Sequence, residues 1–597
     1  MRLAERWYGD ACKERAAAAF SAVEAIRKRD ASRRRRSIWH ACLYGDGATE
    51  QLSSVISTFG PRALQFNVVR RNVDTTQAKI AKARPVPMAL TSGGDIRQQR
   101  RAQKLSKFFA GMFDELDVFA TSELVARDAL IFGTGLSHTY RDEAGLHHER
   151  VLLWEVDVDP GDARYGTPRC IYRHKWRDRH ELAEEWPAHE AAILRADSSA
   201  FGDDPLRVAE RWARESDEVV ILECWRLPSF EGSGDGRHVI VCGDAVLVDE
   251  EYIYPEPPIE RLHCARPLVG YWGDGFGHML EGIQFELNRV AAKVQDAQYM
   301  MGTYAWTDGN GLNVEHLDNG TLTILTGGSA PPAFLSPNAN APQTLQYLEQ
   351  LRGQWAYEES GTSQLSAQSQ KPAGLNSGAA LRTFTDIESE RFVLFGKQFE
   401  RYHVAIGWHV YRLANEIAEE GGKLEVRTAW RRRVDRIAWS DVRIDRADLV
   451  LRVFPTSALS QDPAQRRAEV AELAQGGLIP PDMVRSLLDL PDLEEYQRIE
   501  DAPRQLVEDV IWRLLDEDDY IPPEPSWNLA LCVRMASLHR ARAWVDGAPP
   551  EVLDRLIRFA TDAQDMLDRA AQPPPPAAPM PPPAPGDMPP EVMPPMQ

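Results

Sequence analysis

The longest apolar repeat of the chain lies between residues 379 and 420. Its apolar side chains recur every three or four positions, and this spacing places them on one face of a helix. They are Phe392, Phe395, Phe399, Tyr402, Ile406, Val410, Leu413 and Ile417. The pattern predicts one helix of about 40 residues, roughly 60 Å long. Gly396 and Gly407 are the positions where such a helix could bend.

The sequence before this helix alternates between helical and strand patterns. The predicted helices span residues 13–36, 67–85, 95–130 and 176–215, and the predicted strands lie within 131–140, 150–175 and 218–254. Gly133 and Gly135 are expected to form the turn that leads from a helix into the first strand. Helices and strands in this order predict an α+β fold for about the first 265 residues.

The second half of the chain begins with a helical pattern over residues 277–301. Short β-like pieces rich in turn residues follow over 303–342, and a further helix is predicted over 343–359. The four apolar residues expected on one face of that helix are Leu345, Leu348, Leu351 and Trp355. After the long helix, strands are predicted over 423–454 and helices over 455–571. The Pro-rich tail, 573–597, is too poor in core-forming residues to fold by itself.

Composition narrows the class of protein. The 597 residues carry a formal charge of −20, and the length is compatible with two to four domains. Seven scattered cysteines without a CxxC pair argue against a disulfide framework or a zinc ribbon, and they fit a reducing compartment. No apolar segment is typical of a secretory signal or a membrane span, so neither is expected.

The acidic charge predicts that any contact with nucleic acid is local or weak. Arg33–Arg36, expected to close the first helix, could touch a phosphate backbone, or they could form a solvated or subunit-contact face. Lys371 is the single charged residue in the loop 360–378, whose Ser, Gln and Asn side chains could bond transiently to phosphates. Arg289 and Lys293 lie four positions apart on a predicted helix and share one face.

One acidic cluster is a candidate catalytic site. Glu155, Asp157 and Asp159 alternate along the chain, so a strand would present them on one face. Together with Asp162 they could hold a divalent cation or serve a metal-dependent nuclease, and the alternative is a solvated acidic face at a strand end. Gly273–Gly277 lacks the spacing of a phosphate-binding loop and is interpreted as a flexible entry to a helix.

The sequence contains no Walker A, G-x-S-x-G or H-E-x-x-H motif. We therefore expect no enzymatic activity, no cofactor and no bound metal, and a role in structure or assembly is favoured.

Two segments resemble known sequences. The first reads S-G-T-S-Q-L-S-A-Q-S-Q-K-P-A-G-L-N-S-G from residue 360 to 378 and runs on through A-A-L-R-T-F-T-D-I-E-S-E-R-F. The second reads R-D-A-L-I-F-G-T-G from residue 127 to 135. Together with the order of elements over about residues 60–570, these segments resemble the portal proteins of tailed double-stranded DNA bacteriophages.

The resemblance implies a division of the chain into named parts. They are a mixed α/β wing (1–276 and 421–454), stem helices (277–302 and 343–359), a small β-rich clip (303–342), a tunnel loop (360–378), a long kinked wing helix (379–420), a helical crown (455–571) and a Pro-rich tail (572–597) without an assigned role.

The resemblance also implies a ring of about twelve subunits at one capsid vertex, through which DNA is packaged and ejected. Its implied partners are the terminase large subunit, a head-completion or tail adaptor, the major capsid protein and scaffold. Such a protein would be assembled in the host cytoplasm and reside in the virion, with no membrane contact. The competing hypothesis is a nuclease or packaging hydrolase that uses Glu155, Asp157 and Asp159.

Three groups of residues would then carry the function. The tunnel-loop group, expected to contact DNA, is Ser363, Gln364, Gln368, Gln370, Lys371 and Asn376. Arg289 and Lys293 would face the channel or pair with acids of a neighbouring subunit. The clip group, expected to dock partner proteins, is Trp306, Asn310, Leu312, Leu322 and Ile324.

Overall fold

The computed structural model is α+β, with antiparallel sheets and numerous helices, and this confirms the predicted fold class. The structure describes residues 6–10, 12–45, 66–81, 84–91, 96–142, 145–197, 201, 217–230, 232–299, 305–306, 333–334, 341–360, 393–430, 433–453, 470–471, 474, 494–516, 520–545 and 547–571.

The described elements are numbered here in chain order. The helices are α1 Arg15–Arg29, α2 Ala31–Tyr44, α3 Val68–Ile80, α4 Ile96–Glu115, α5 Val118–Phe132, α6 Arg179–Glu185, α7 Glu190–Ile193, α8 Phe276–Tyr299, α9 Ala341–Gln350, α10 Ala356–Ser360, α11 Val393–Glu419, α12 Trp439–Val442, α13 Glu494–Asp516, α14 Leu529–Val545 and α15 Pro550–Ala571. The strands are β1 Met88–Thr91, β2 Thr134–Asp142, β3 Gly145–Val151, β4 Val156–Val158, β5 Cys170–Asp178, β6 Glu218–Arg226, β7 Arg237–Cys242, β8 Ala245–Glu251, β9 Ile259–His263, β10 Ala305–Trp306, β11 Ala333–Phe334, β12 Glu425–Trp430, β13 Arg433–Ala438 and β14 Leu449–Arg452.

The chain divides into two compact units. The first comprises residues 1–90 and 101–458, and the second comprises residues 91–100 and 459–597. The first unit contains an antiparallel five-stranded sheet of order β4-β5-β6-β7-β8 and a three-stranded sheet of order β3-β2-β9. Strands β6, β7 and β8 lie within the region 218–254 where strands were predicted, whereas β9 and most of β3 lie in segments for which no strand was predicted.

The core of the first unit forms around α11. Its buried side chains include Phe399, Tyr402, Ile406 and Val410, at the three- and four-residue steps that the sequence predicts. They pack with residues of α4 and α5 and with Trp439, which is almost fully buried. The described part of the long helix is therefore confirmed from residue 393 to 419, and residues 379–392 lie outside the described residues.

The predicted helix 13–36 is wrong in its end point, because the chain forms two helices there. Helix α1 ends at Arg29, Asp30 leaves the helical conformation, and α2 begins at Ala31. The arginines 33–36 therefore lie inside a second helix instead of closing the first. The Asp30 carboxylate pairs with Arg33 at 2.5 Å in this corner, an interaction that the local pattern did not indicate.

The predicted helix 95–130 is likewise two helices, α4 and α5, because Asp117 between them has a positive φ of 49°. The turn after α5 is made by Gly133, as predicted, with φ of 93°. A side chain there would strike the backbone, since an added Cβ would lie 2.1 Å from the carbonyl oxygen of Gly273. Glycine is therefore required at this turn by both conformation and space.

The helix predicted over 343–359 has a π-helical turn, Leu351–Trp355, between α9 and α10. The wider turn rotates the residues that follow it about the helix axis. Leu348 and Leu351 are buried, whereas Leu345 and Trp355 are 47% and 41% exposed. Two of the four apolar residues expected on one face are therefore buried and two are exposed.

The described part of the second unit is helical, as predicted for residues 455–571. Helices α13, α14 and α15 pack around Ile511, Leu514, Cys532, Leu556 and Phe559, which are all fully buried. The Pro-rich segment 572–597 lies outside the described residues. None of the described helices is both long and apolar enough to cross a membrane.

Candidate functional site

Two helical segments flank the region predicted to be β-rich, and they pack on each other. Helix α8 contributes Leu287, Val290 and Ala291 to a shared apolar cluster, and the returning segment contributes Leu348 and Leu351. Beyond them, Ala305–Trp306 pairs antiparallel with Ala333–Phe334. We call residues 276–360 the paired-helix excursion.

The excursion is anchored to the N-terminal part of α3. The first N–H groups of a helix lack partners within it, and the side-chain oxygen Oε1 of Gln284 accepts a hydrogen bond from the N–H of Val68 at 2.7 Å. Asn288 accepts one from the N–H of Phe66 at 3.1 Å. At the other end of the excursion, the Ser360 hydroxyl donates to Oδ1 of Asn72 at 2.9 Å. The chain therefore leaves and re-enters the α+β body at one place.

Helix α8 also carries a stripe of exposed residues. Its members follow each other by three or four positions, so they line one side of the helix: His278, Gly282, Phe285, Arg289 and Lys293. Arg289 pairs with Glu286 of the same helix at 2.9 Å, and no described carboxylate pairs with Lys293. The predicted shared face of Arg289 and Lys293 is thus present and solvent-accessible. Both earlier alternatives, a channel face and a contact with a neighbouring subunit, stay compatible with this position.

Most other residues of the predicted site lie outside the described residues. These are the tunnel-loop residues Ser363, Gln364, Gln368, Gln370, Lys371 and Asn376, and the clip residues Asn310, Leu312, Leu322 and Ile324. Trp306 is described through its backbone, which pairs with Ala333.

The acidic cluster is bound to arginines. Asp157, 1% exposed, accepts hydrogen bonds from Nε of Arg27 at 2.9 Å and from Nη1 of Arg34 at 3.1 Å. Asp159 lies 3.3 Å from Nη2 of Arg29 and accepts a bond from the N–H of Gly161 at 2.9 Å. Two carboxylates of the predicted cation site are therefore already neutralised by guanidinium groups.

The other two carboxylates of the cluster have separate partners. Glu155 lies in a single 3₁₀ turn, 3.4 Å from Nη2 of Arg173, and burial raises its pKa. Asp162 accepts hydrogen bonds from the N–H groups of Arg169 and Cys170, at 2.7 and 3.0 Å. In the described part of the chain, these four carboxylates do not form a group that could share one ion.

The arginine run 33–36 divides between buried and exposed positions. Arg34 is buried and donates hydrogen bonds to Asp157 and to the Trp154 carbonyl oxygen. Arg33 stacks over the Trp272 ring, with its guanidinium carbon 4.0 Å from the ring centroid. Arg35 and Arg36 are exposed. Two of the four arginines thus stabilise the fold, so the run does not act as one basic patch.

Two polar groups were not predicted from the sequence. His40, His278 and Glu281 bring three potential ligand atoms within 4.8 Å of one another. The His278–Glu281 spacing of three on a predicted helix was a visible signal, but nothing local indicated His40. The second group surrounds Glu260, which is fully buried and accepts hydrogen bonds from the hydroxyls of Thr139 (2.6 Å) and Ser137 (3.2 Å).

No family model matches this chain, and no curated protein matches it. The function is therefore inferred from the residues and contacts described above.

Proposed function

We propose that this chain is the portal protein of a tailed double-stranded DNA bacteriophage. In this proposal about twelve copies form a closed ring at one capsid vertex, through which DNA enters during packaging and leaves during ejection. The ring docks the terminase large subunit and later a head-completion or tail adaptor. The chain has no enzymatic role in this proposal.

The observation that carries the proposal is the paired-helix excursion. Two packed helical segments, α8 and the 341–360 segment, leave an α+β body at one anchor and continue into a short β pair. The long helix α11 follows after the predicted tunnel loop. A stem, a clip and a long wing helix in this order are what the resemblance to portal proteins implies.

Exposed apolar side chains on the excursion support an assembled state. Phe285, Leu345 and Trp355 are 43%, 47% and 41% exposed in the single chain. In the proposed assembly these side chains belong to a surface that another protein covers. The proposal assigns that role to the next subunit of the ring.

The acidic net charge of the chain supports a channel that binds DNA only weakly. About twelve copies at −20 each sum to roughly −240 formal charges. Every phosphate neutralised by Lys or Arg adds salt-dependent affinity, so a passage for DNA works best with few basic positions. Arg289, Lys293 and the predicted loop residue Lys371 are candidates for those positions.

The oligomeric state tests the role of the excursion. Native mass spectrometry of the purified full-length chain is expected to give one closed oligomer with a fixed number of subunits. Leu345→Ser combined with Trp355→Ser should weaken it, because both side chains belong to the proposed subunit contact. Phe230→Ser is the matched control, since Phe230 is 70% exposed on the β-rich part of the body.

Two outcomes would contradict the proposal. The first is a monomer at all protein concentrations. The second is an oligomer that stays intact in the double variant but dissociates in Phe230→Ser. The subunit contact would then lie on the body and not on the excursion.

A further inference from the structure

Helices α2 and α8 cross close to the point where the excursion begins. Gly277, in the first turn of α8, faces His40 of α2, and an added Cβ there would lie 2.9 Å from the Cβ and Cγ atoms of His40. His278 follows directly, and Glu281 lies three residues further along the helix. The spacing of three places His278 and Glu281 on the same side of α8, toward His40.

The distances between the three side chains fit one shared ion. Nε2 of His40 lies 3.6 Å from Oε2 of Glu281, and the imidazole rings of His40 and His278 have centroids 6.1 Å apart. Two ligands that each lie about 2.0–2.1 Å from a zinc ion, separated by 3.6 Å, subtend an angle of about 120°. One ligand atom from each residue lies within 4.8 Å of the others, and the exposed His278 ring can rotate to close the remaining difference.

A second observation points to a ligand at this place. The His40 side chain is 6% exposed, and its Nε2 atom is buried without a hydrogen-bond partner. The nearby Glu281 oxygen, at 3.6 Å, is too far for a hydrogen bond. A buried nitrogen without a hydrogen-bond partner costs about 1–3 kcal/mol of stability. A ligand that bonds Nε2 of His40 would therefore stabilise the fold.

We propose that His40, His278 and Glu281 bind a zinc-type divalent transition-metal ion that fastens the start of the excursion to α2. Imidazole nitrogen and carboxylate oxygen are ligands that such ions accept. Three protein ligands leave one coordination position of a tetrahedral ion open on the solvent side, where His278 is exposed. The proposal does not depend on the portal function, since it concerns contacts within one chain.

The test uses the purified full-length chain, stripped of metal with a chelator and titrated with zinc in a calorimeter. We expect one ion per chain bound through this site. His278→Ala and Glu281→Gln should each lower the affinity at least about 10- to 100-fold, the range seen when only second-shell partners of a metal are lost. His180→Ala is the matched control, because His180 is an exposed histidine on another helix, and it should bind zinc as the wild type does.

A second readout separates this site from adventitious binding. Cobalt-loaded wild-type protein should show the visible absorption of a low-coordinate ion with nitrogen ligands, and His278→Ala should change it. His278 is exposed and Gln keeps the size of Glu281, so both variants are expected to fold, which circular dichroism checks. Absence of zinc binding by the wild type would overturn the proposal, and so would unchanged affinity and cobalt spectrum in both variants.

Discussion

The buried pairing of Asp157 with two arginines makes a quantitative prediction. The Asp157 carboxylate is 1% exposed and accepts from Arg27 and Arg34, whose side chains are 5% and 7% exposed. Asp157→Ala would leave two buried guanidinium groups without their shared anion. Removing one partner of such a buried network costs about 3–5 kcal/mol.

A loss of about 4 kcal/mol lowers the ratio of folded to unfolded chain roughly a thousandfold. The measurement is urea unfolding of both proteins, followed by tryptophan fluorescence. Asp159→Ala is the matched control two residues away, because Asp159 and its partner Arg29 are 31% and 57% exposed. An exposed pair of this kind contributes only about 0–1 kcal/mol.

The two interpretations of the acidic cluster diverge in this experiment. If Asp157 stabilises the fold, its variant unfolds at clearly lower urea than Asp159→Ala. If Asp157→Ala unfolds at the same urea concentration as the control, the structural interpretation is refuted. Loss of a metal-dependent DNA-cleaving activity in that stable variant would support the nuclease hypothesis instead.

Three further predictions concern the anchor, the loop and a buried acid. Gln284→Leu removes the acceptor for the N–H of Val68 and should lower the free energy of unfolding by about 1–3 kcal/mol in urea unfolding; an unchanged midpoint would contradict the anchor. Deletion of residues 363–370 should leave the oligomer intact but impair DNA packaging or retention in an infection assay; loss of the oligomer would indicate a structural loop. Burial raises the pKa of Glu260 to about 7, so its protonated form stabilises the fold below about pH 4.5 and this contribution is lost as the pH rises through about 7. Glu260→Gln should therefore gain in melting temperature relative to the wild type between about pH 5 and pH 8, and a difference that does not depend on pH would contradict this.

Periodicity predicted the described helices well wherever one face is buried along its whole length. In α11 the steps of three and four residues match the buried positions, because one stripe packs against the core throughout. The prediction was wrong where a single residue interrupts a helix, as at Asp30 and Asp117. These interruptions depend on tertiary contacts and on one backbone angle, which a hydrophobic pattern does not record.

Local sequence could not identify the partners of the candidate site. Asp157 bonds Arg27 and Arg34, which lie 130 and 123 residues earlier in the chain. Without those partners, three alternating carboxylates have the same pattern in a metal site and in a buried ion-pair network. His278 and Glu281 carried a visible helical spacing, but the third ligand, His40, comes from a distant helix. The fold class and most described elements thus follow from periodicity, whereas the polar networks depend on long-range packing.

Electron microscopy of the purified full-length protein, with averaging of single particles, tests the central claim most directly. The portal proposal predicts a closed ring of about twelve subunits with an axial channel. It also predicts that residues 303–342 form a narrow end of that ring, held by helix α8 and residues 341–360 of every subunit. A monomer, or a compact particle without an axial channel, would contradict it.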